Sequence, residues 1–194
     1  SWGSELDGHM VEAWNGEQRA YSKYGNKLED YFNTGFAHNH NVSISNVTDK
    51  SHFRASFGSS NNKGLFPNEK LDKINIDLNA GAEMNQYLSM EGKVSLSRTY
   101  FGSYGVIAQL IGIPHNVSLD DLKNYSTENS AHVNWAGPNP GLENPYYVQD
   151  QRHNSEERWR AFGYYNAKIN FTDWLHFSAK YAFDYYRTRV QITD

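Results

Sequence analysis

Apolar and polar residues alternate with a period of two in six separate runs between Asn39 and Arg187. The longest are the clearest. Ile74, Ile76, Leu78, Ala80 and Ala82 interleave with Lys73, Asn75, Asp77 and Asn79. Leu88, Met90, Gly92, Val94 and Leu96 interleave with Ser89, Glu91, Lys93, Ser95 and Ser97. Near the end, Leu175, Phe177, Ala179, Tyr181, Phe183 and Tyr185 alternate with His176, Ser178, Lys180, Ala182, Asp184 and Tyr186. Shorter runs set Val42, Ile44 and Val47 against Asn41, Ser43 and Ser45. They also set Phe53, Ala55 and Phe57 against Arg54 and Ser56, and Trp159 through Phe171 against Arg160, Tyr164, Asn166 and Lys168. Successive strand side chains point to opposite faces, so each run predicts a strand with one apolar and one polar face. The expected strands are 39–47, 52–59, 72–82, 87–98, 159–171 and 175–187, paired as three antiparallel hairpins.

The connections between these runs differ in a systematic way. Those near 48–51, 83–86 and 172–174 are tight, with turn residues such as Thr48–Asp49–Lys50. Those at 60–71 and 99–158 are long, and residues 1–38 form a further long segment before the first run. Short turns on one side and long loops on the other is the pattern of a transmembrane β-barrel. The three longest runs also meet the about 9–11 residues a tilted spanning strand needs, against about 5–6 for an ordinary strand. Tyr87 and Trp174 beside the tight turns, and Trp159, Tyr181 and Tyr185 toward the other end, would form two aromatic girdles. In the long segments, short helices are expected at 27–32, closed by Gly35, at 104–114, and after Ser118, whose S-x-x-D spacing to Asp121 is a capping signal.

Composition sharpens the choice of solvent for the apolar face. Aromatic residues are 15% of 194, with Tyr the commonest at 14, while aliphatic residues are sparse. A water-soluble domain this polar has little apolar area to bury, whereas a membrane barrel needs only alternate residues to be apolar. There is no cysteine, which removes disulfide scaffolds and thiol chemistry. The net charge of −4 gives no nucleic-acid footprint. The opening "SWGSELDG" lacks the regions of a secretion signal, so the chain is expected to be mature, processed or a fragment. Six strands cannot close without leaving an edge in lipid, so further strands of the same barrel are expected as partners.

Several stretches carry a resemblance to a known family. They are "SWGSELDG" at 1–8, "LEDYFNTG" at 28–35, "NHNVSISNVTDKSHFRASFGSSNNKGLFPNEKLDK" at 39–73, "IPHNVSLDDLKNY" at 113–125, "NPYYV" at 144–148 and "FTDWL" at 171–175. In this order they resemble the barrel of SusC-like TonB-dependent transporters of Bacteroidetes outer membranes. The resemblance implies an all-β, antiparallel fragment of a 22-stranded barrel in the bacterial outer membrane. Within it, residues 1–38 and 99–158 are extracellular loops, and 39–98 and 159–190 are strands. On this resemblance the plug domain and the closing strands are expected to lie outside the 194 residues. It further implies active import of oligosaccharides or peptides, a SusD-like surface lipoprotein as lid, and energy from the TonB complex through a part of the protein not present here.

Under this reading Ile74, Ile76, Leu78, Leu88, Met90, Val94, Leu96, Leu175, Phe177, Ala179, Tyr181 and Phe183 face lipid. Asn75, Asp77, Lys93, His176, Ser178, Lys180 and Asp184 face a wet lumen. Arg187 and Arg189 continue the outward parity past the membrane edge, toward lipopolysaccharide phosphates. Trp135, Tyr146 and Tyr147, set among Gly, Asn and Pro, suit substrate or lid-protein contact, or a self-packed loop. No catalytic constellation, metal site or cofactor motif is expected. His38 and His40 share a strand face but lack a third ligand nearby in sequence. Two alternatives remain open at this point: a secreted carbohydrate-binding β-sandwich, and a siderophore-type TonB-dependent receptor without a lid.

Overall fold

The computed structural model describes residues 4–103, 105–125, 135–136 and 141–193. A small hairpin comes first, β1 (Met10–Glu12) and β2 (Gln18–Ala20), followed by helix α1 (Lys27–Tyr31). Four long strands follow: β3 (Phe36–Val47), β4 (Ser51–Lys63), β5 (Lys70–Glu83) and β6 (Leu88–Ser103). Three short helices come next, α2 (Ile107–Gly112), α3 (Leu119–Lys123) and α4 (Pro145–Gln151), and then β7 (His153–Asn170) and β8 (His176–Thr193). The six long strands form one antiparallel sheet in sequence order, β3-β4-β5-β6-β7-β8. All six predicted strands are present, as neighbours along a meander.

Every ladder keeps a constant register with no bulge. Directly opposed residues share a face, so the alternation of each strand adds to that of its neighbours. The strands run further than the alternation predicts, by up to six residues at the long-loop end and by at most one at the tight turns. β3 starts at Phe36, β4 reaches Lys63, β6 reaches Ser103, and β7 starts at His153. They therefore enter the stretches 1–38 and 99–158 that the sequence assigned to loop. There Asn61, Asp72, Tyr100 and Gln191 stand on the otherwise apolar face, and Leu71, Phe101 and Val190 stand among Asn62 and Glu156 on the otherwise polar one, so the period of two loses its phase while the hydrogen-bonded ladder continues.

Other corrections are local. Val47 lies opposite His52, on the polar face, because its parity follows Ser43 and Ser45; it is exposed. Leu175 precedes β8 and closes the tight turn, its carbonyl accepting from the Phe171 and Thr172 amides. Tyr181 pairs with Tyr165 midway along the sheet, not at a rim. Helix α1 ends in extended backbone at Phe32, without a left-handed Gly35. Two elements had no expectation. The β1–β2 hairpin turns through Asn15-Gly16, with Gly16 at φ 81°, the conformation that favours glycine. Helix α4 begins with Pro145 behind Asn144, whose side chain accepts from the Tyr146 and Tyr147 amides.

Among the described residues the buried hydrophobic ones are Tyr31, Val106, Leu110, Ile113, Val117, Leu119, Leu122 and Val148. All lie outside the six long strands, in the layer that α1–α4 and their connections build at the long-loop end.

Candidate functional site

The apolar face of the sheet is built in rows across the strands. The lowest joins Leu88, Ile169 and Phe177. The next joins Ala82, Met90, Ala167 and Ala179, and the third Phe53, Ala80, Gly92, Tyr165 and Tyr181. Above them come Ile44, Ala55, Leu78, Val94, Gly163 and Phe183, and then Val42, Phe57, Ile76, Leu96, Ala161 and Tyr185. Ser51 and Asn46, near the turn end, are the polar exceptions in these rows. From Phe177 to Tyr185 the band covers eight residue steps, or about 27 Å along the strand at roughly 3.4 Å per residue. These side chains are open: Leu78 is 47% exposed, Phe177 56% and Tyr181 71%. The band thus holds all the residues assigned in sequence to lipid, apart from Leu175 in its turn and Ile74 one row higher.

Asn75, Asp77, Lys93, His176, Ser178, Lys180 and Asp184 all fall on the opposite face. There the side chains form a hydrogen-bonded lattice. Ser95, 7% exposed, donates to Asp77 at 2.6 Å. Arg160 clamps Asp184 with Nε at 2.9 Å and Nη2 at 2.6 Å. Tyr164 donates to Glu91 at 2.5 Å, and the Lys180 ammonium lies 4.2 Å from the Tyr164 ring centroid. Such cross-strand pairs stiffen a face that must stay polar without a core behind it.

Above the apolar band the same face turns basic. The next row holds Ile74, Arg98, Trp159 and Arg187, and the row after it Asp72, Tyr100, Glu157 and Arg189. Arg98 donates to Glu157 at 2.6 Å, and its guanidinium lies 5.5 Å from the Trp159 ring. One row higher, Lys63 and Lys70 stand directly opposite each other. They line a cleft of about 1020 Å³ with Tyr100, Gln149, Arg152 and Gln191, between the sheet and the loop layer.

The loop layer is held by specific contacts. Asn144 is fully buried; besides capping α4 it donates to the Leu122 carbonyl at 2.8 Å. Arg19 pairs with Asp121 and Glu17, tying the β1–β2 hairpin to α3 and holding the guanidinium pKa above its ordinary value. Ser118 caps α3 by accepting from the Asp120 amide at 3.2 Å. Lys27 is buried, so its pKa falls, and its ammonium donates to the Val117 carbonyl. Burial raises the pKa of Tyr31 and Tyr146. Burial, with the hydrogen bond to Asp150, pushes Tyr125 up to about 12.

Trp135, Tyr146 and Tyr147 are partly buried against this small core. Tyr146 lies tilted against Tyr31 with ring centroids 5.1 Å apart, and Tyr147 meets Tyr125 edge-on at 5.9 Å. His38 and His40 stack on each other at 5.9 Å, and no cluster of three His, Asp or Glu residues suited to a metal occurs among the described residues.

No family model matches this chain, and no curated protein matches it by sequence. Among solved structures, it is similar to the RagAB peptide importer in its "open-open" state, with a TM-score of 0.68 over 87% of this chain at 18% identity. The match spans 20% of that protein's chain, so this chain corresponds to about a fifth of the importer's length. At this identity the likeness establishes the fold: a segment of an antiparallel β-barrel.

Proposed function

We propose that this chain is part of the wall of an outer-membrane, TonB-dependent importer, with the apolar band against lipid and the polar lattice lining the lumen. The observation that carries the reading is the apolar band itself: five rows deep, up to six strands wide, solvent-exposed, with no buried hydrophobic residue among the described residues packed behind it. The span from Phe177 to Tyr185 matches the low end of the about 9–11 residues that a tilted membrane strand needs. Leu88, Met90, Val94, Leu96, Phe177, Ala179, Tyr181 and Phe183 then meet acyl chains, while Asp77, Lys93, Lys180 and Asp184 meet water around a plug.

The cargo is a small hydrophilic polymer, an oligosaccharide or a peptide; the neighbour's import of peptides supports the second as much as the family resemblance supports the first. The exposed edges of Trp135, Tyr146 and Tyr147 are offered to the cargo or to a SusD-like lipoprotein lid. No chemical transformation is assigned to the chain. A carbohydrate-binding β-sandwich needs a second sheet over the apolar band. Among the described residues the only other ladder is the three-residue β1–β2 pair.

The test is a parity scan in the full transporter carrying this segment, reconstituted in bilayers. Probes on Phe177→Cys and Phe183→Cys should be reached by a lipid-phase quencher, and those on Ser178→Cys and Asp184→Cys by a water-soluble one. Water access at both sets sinks the proposal. Co-purification of a surface lipoprotein with the transporter supports the lid; its consistent absence favours a receptor without one.

A further inference from the structure

The basic rows above the apolar band have no role in moving cargo through the lumen, because they lie on the opposite face. Reading up that face from Tyr185, a side chain passes Arg187 and then Arg189, with Arg98 and Trp159 alongside, before reaching Lys63 and Lys70 at the cleft. The acids in these rows are Asp72, which accepts from Asn61, and Glu157, which is engaged by Arg98 and stands opposite Arg189; Glu69 is the one carboxylate among the described residues lining the cleft. Arg187 has no carboxylate partner among the described residues.

Two details point to a ligand. Lys63 and Lys70 are opposed like charges, an arrangement that weakens a ladder; the Lys70 ammonium lies 4.8 Å from the Tyr100 ring centroid and Glu69 lines the same cleft, which leaves two lysines to one carboxylate there. Gln149 is 2% exposed and lines the cleft, yet its Oε1 has no hydrogen-bond partner among the described residues. A buried acceptor left open is unusual and calls for a donor such as a sugar hydroxyl. The cleft also carries Asn33, Asn154 and Gln191 as hydrogen-bonding side chains, beside the Tyr100 ring. Arg152 is turned to Glu143 at 2.5 Å and does not add free charge.

We infer that this flank, from Arg187 and Arg189 up to the Lys63–Lys70 cleft, binds the phosphorylated sugar headgroup of an outer-leaflet glycolipid of the lipopolysaccharide type. Arginine at the top of the band takes phosphate in bidentate fashion. The cleft, three rows above the Val42–Tyr185 row, takes further anionic groups and hydroxyls of the same headgroup. Acyl chains continue down over Tyr185 and Phe183, so one molecule spans the apolar band and the basic rows. This inference rests on the lipid-facing reading of the apolar band.

The test uses the full transporter in phosphatidylcholine nanodiscs doped with phosphorylated lipid A or with the same lipid after phosphatase treatment. Retention through delipidation is read by native mass spectrometry. Wild type should retain the phosphorylated form about tenfold better, and Arg187→Glu with Arg189→Glu should remove that preference. Lys63→Gln with Lys70→Gln, a milder pair that keeps both side-chain stems, should reduce retention of a glycolipid carrying core sugars and leave that of lipid A alone largely unchanged. Equal retention of both lipid forms by wild type overturns the inference, as does retention indifferent to both pairs. So does inorganic phosphate that shields Lys63 and Lys70 from acylation as well as the glycolipid does, since the site would then serve free phosphate. The Phe177→Cys probe in the same discs separates the two levels. If a lipid-phase quencher reaches it and no glycolipid is retained, only the headgroup site fails; if no quencher reaches it, the membrane reading itself fails.

Discussion

In the loop layer, helices of five to seven residues bury Leu110, Leu122, Val106 and Val148 completely. In the sheet, strands of up to 18 residues bury no hydrophobic residue at all. Helices that short do not persist alone in water, so α1–α4 depend on their shared core, and α3 and α4 also on the caps Ser118 and Asn144. On the reading proposed above, the strands depend on neighbours along the ladder and on an apolar medium against Phe177 and Leu78 in place of a core. One polypeptide thus carries two kinds of stability, and a substitution should damage one without touching the other.

The sharpest break of that contrast is Leu122→Ala. It should cost about 2–5 kcal/mol of loop-layer stability. Hydrogen exchange of α2–α4 in the full transporter should rise while that of β5 and β6 stays unchanged. Next is Leu78→Arg, in the middle of the apolar band. It should cost about 2–4 kcal/mol in a bilayer, by denaturant titration of the reconstituted protein, while Asn75→Arg on the other face should cost far less. Equal penalties would show that the two faces see the same solvent. Gly163→Ala is smaller: a methyl there would lie 2.4 Å from the Lys93 carbonyl oxygen and 3.0 Å from the Phe183 ring. A loss of about 1–3 kcal/mol is expected, confined to the β6–β7–β8 ladder.

The mildest effect is alkaline. Tyr31, Tyr125 and Tyr146 have folded pKa values above the ordinary 10.0, so the layer favours their neutral form. Their contribution is complete below pH 10.0 and fades as pH rises through the folded values, for Tyr125 toward about 12. Lys27 works in the opposite direction, since its lowered pKa makes its ammonium unfavourable in the folded layer until pH nears 10.5. Three phenols against one amine should leave a net loss above pH 10.0, seen as tyrosinate absorbance rising together with exchange in α1 and α4. A layer that gained protection there would reverse the balance.

Legibility in the sequence followed the same division. Where one face is apolar and the other polar, as between Ile74 and Ala82, alternation marked the strand, its partner and its faces. Where polar and apolar residues mix on each face, as at Asn61, Asp72 and Leu71, strands continued unseen because the ladder's hydrogen bonds leave no trace in side-chain type. Helix α4 was missed although Asn144 and Pro145 are a cap and a first-turn proline, because "PYYVQDQ" lacks a helical apolar period. Parity put Arg187 and Arg189 on the apolar side. It could not place Lys63 opposite Lys70, or Gln149 beside them, since those juxtapositions come from register and from a loop folding back.

The unbroken register has a consequence for how such a chain can change over time. With no bulge in any of the five ladders, inserting or deleting one residue within a strand inverts every side chain from that point to the next turn. One codon lost after Ile76 would turn Asn79 and Gly81 toward the medium Leu78 and Ala80 now meet, and bring Leu78 and Ala80 round beside Lys93. Lineages of this protein should therefore differ in length almost entirely between 104 and 152 and at the other loops, in steps of any size, while the strands drift only by substitution.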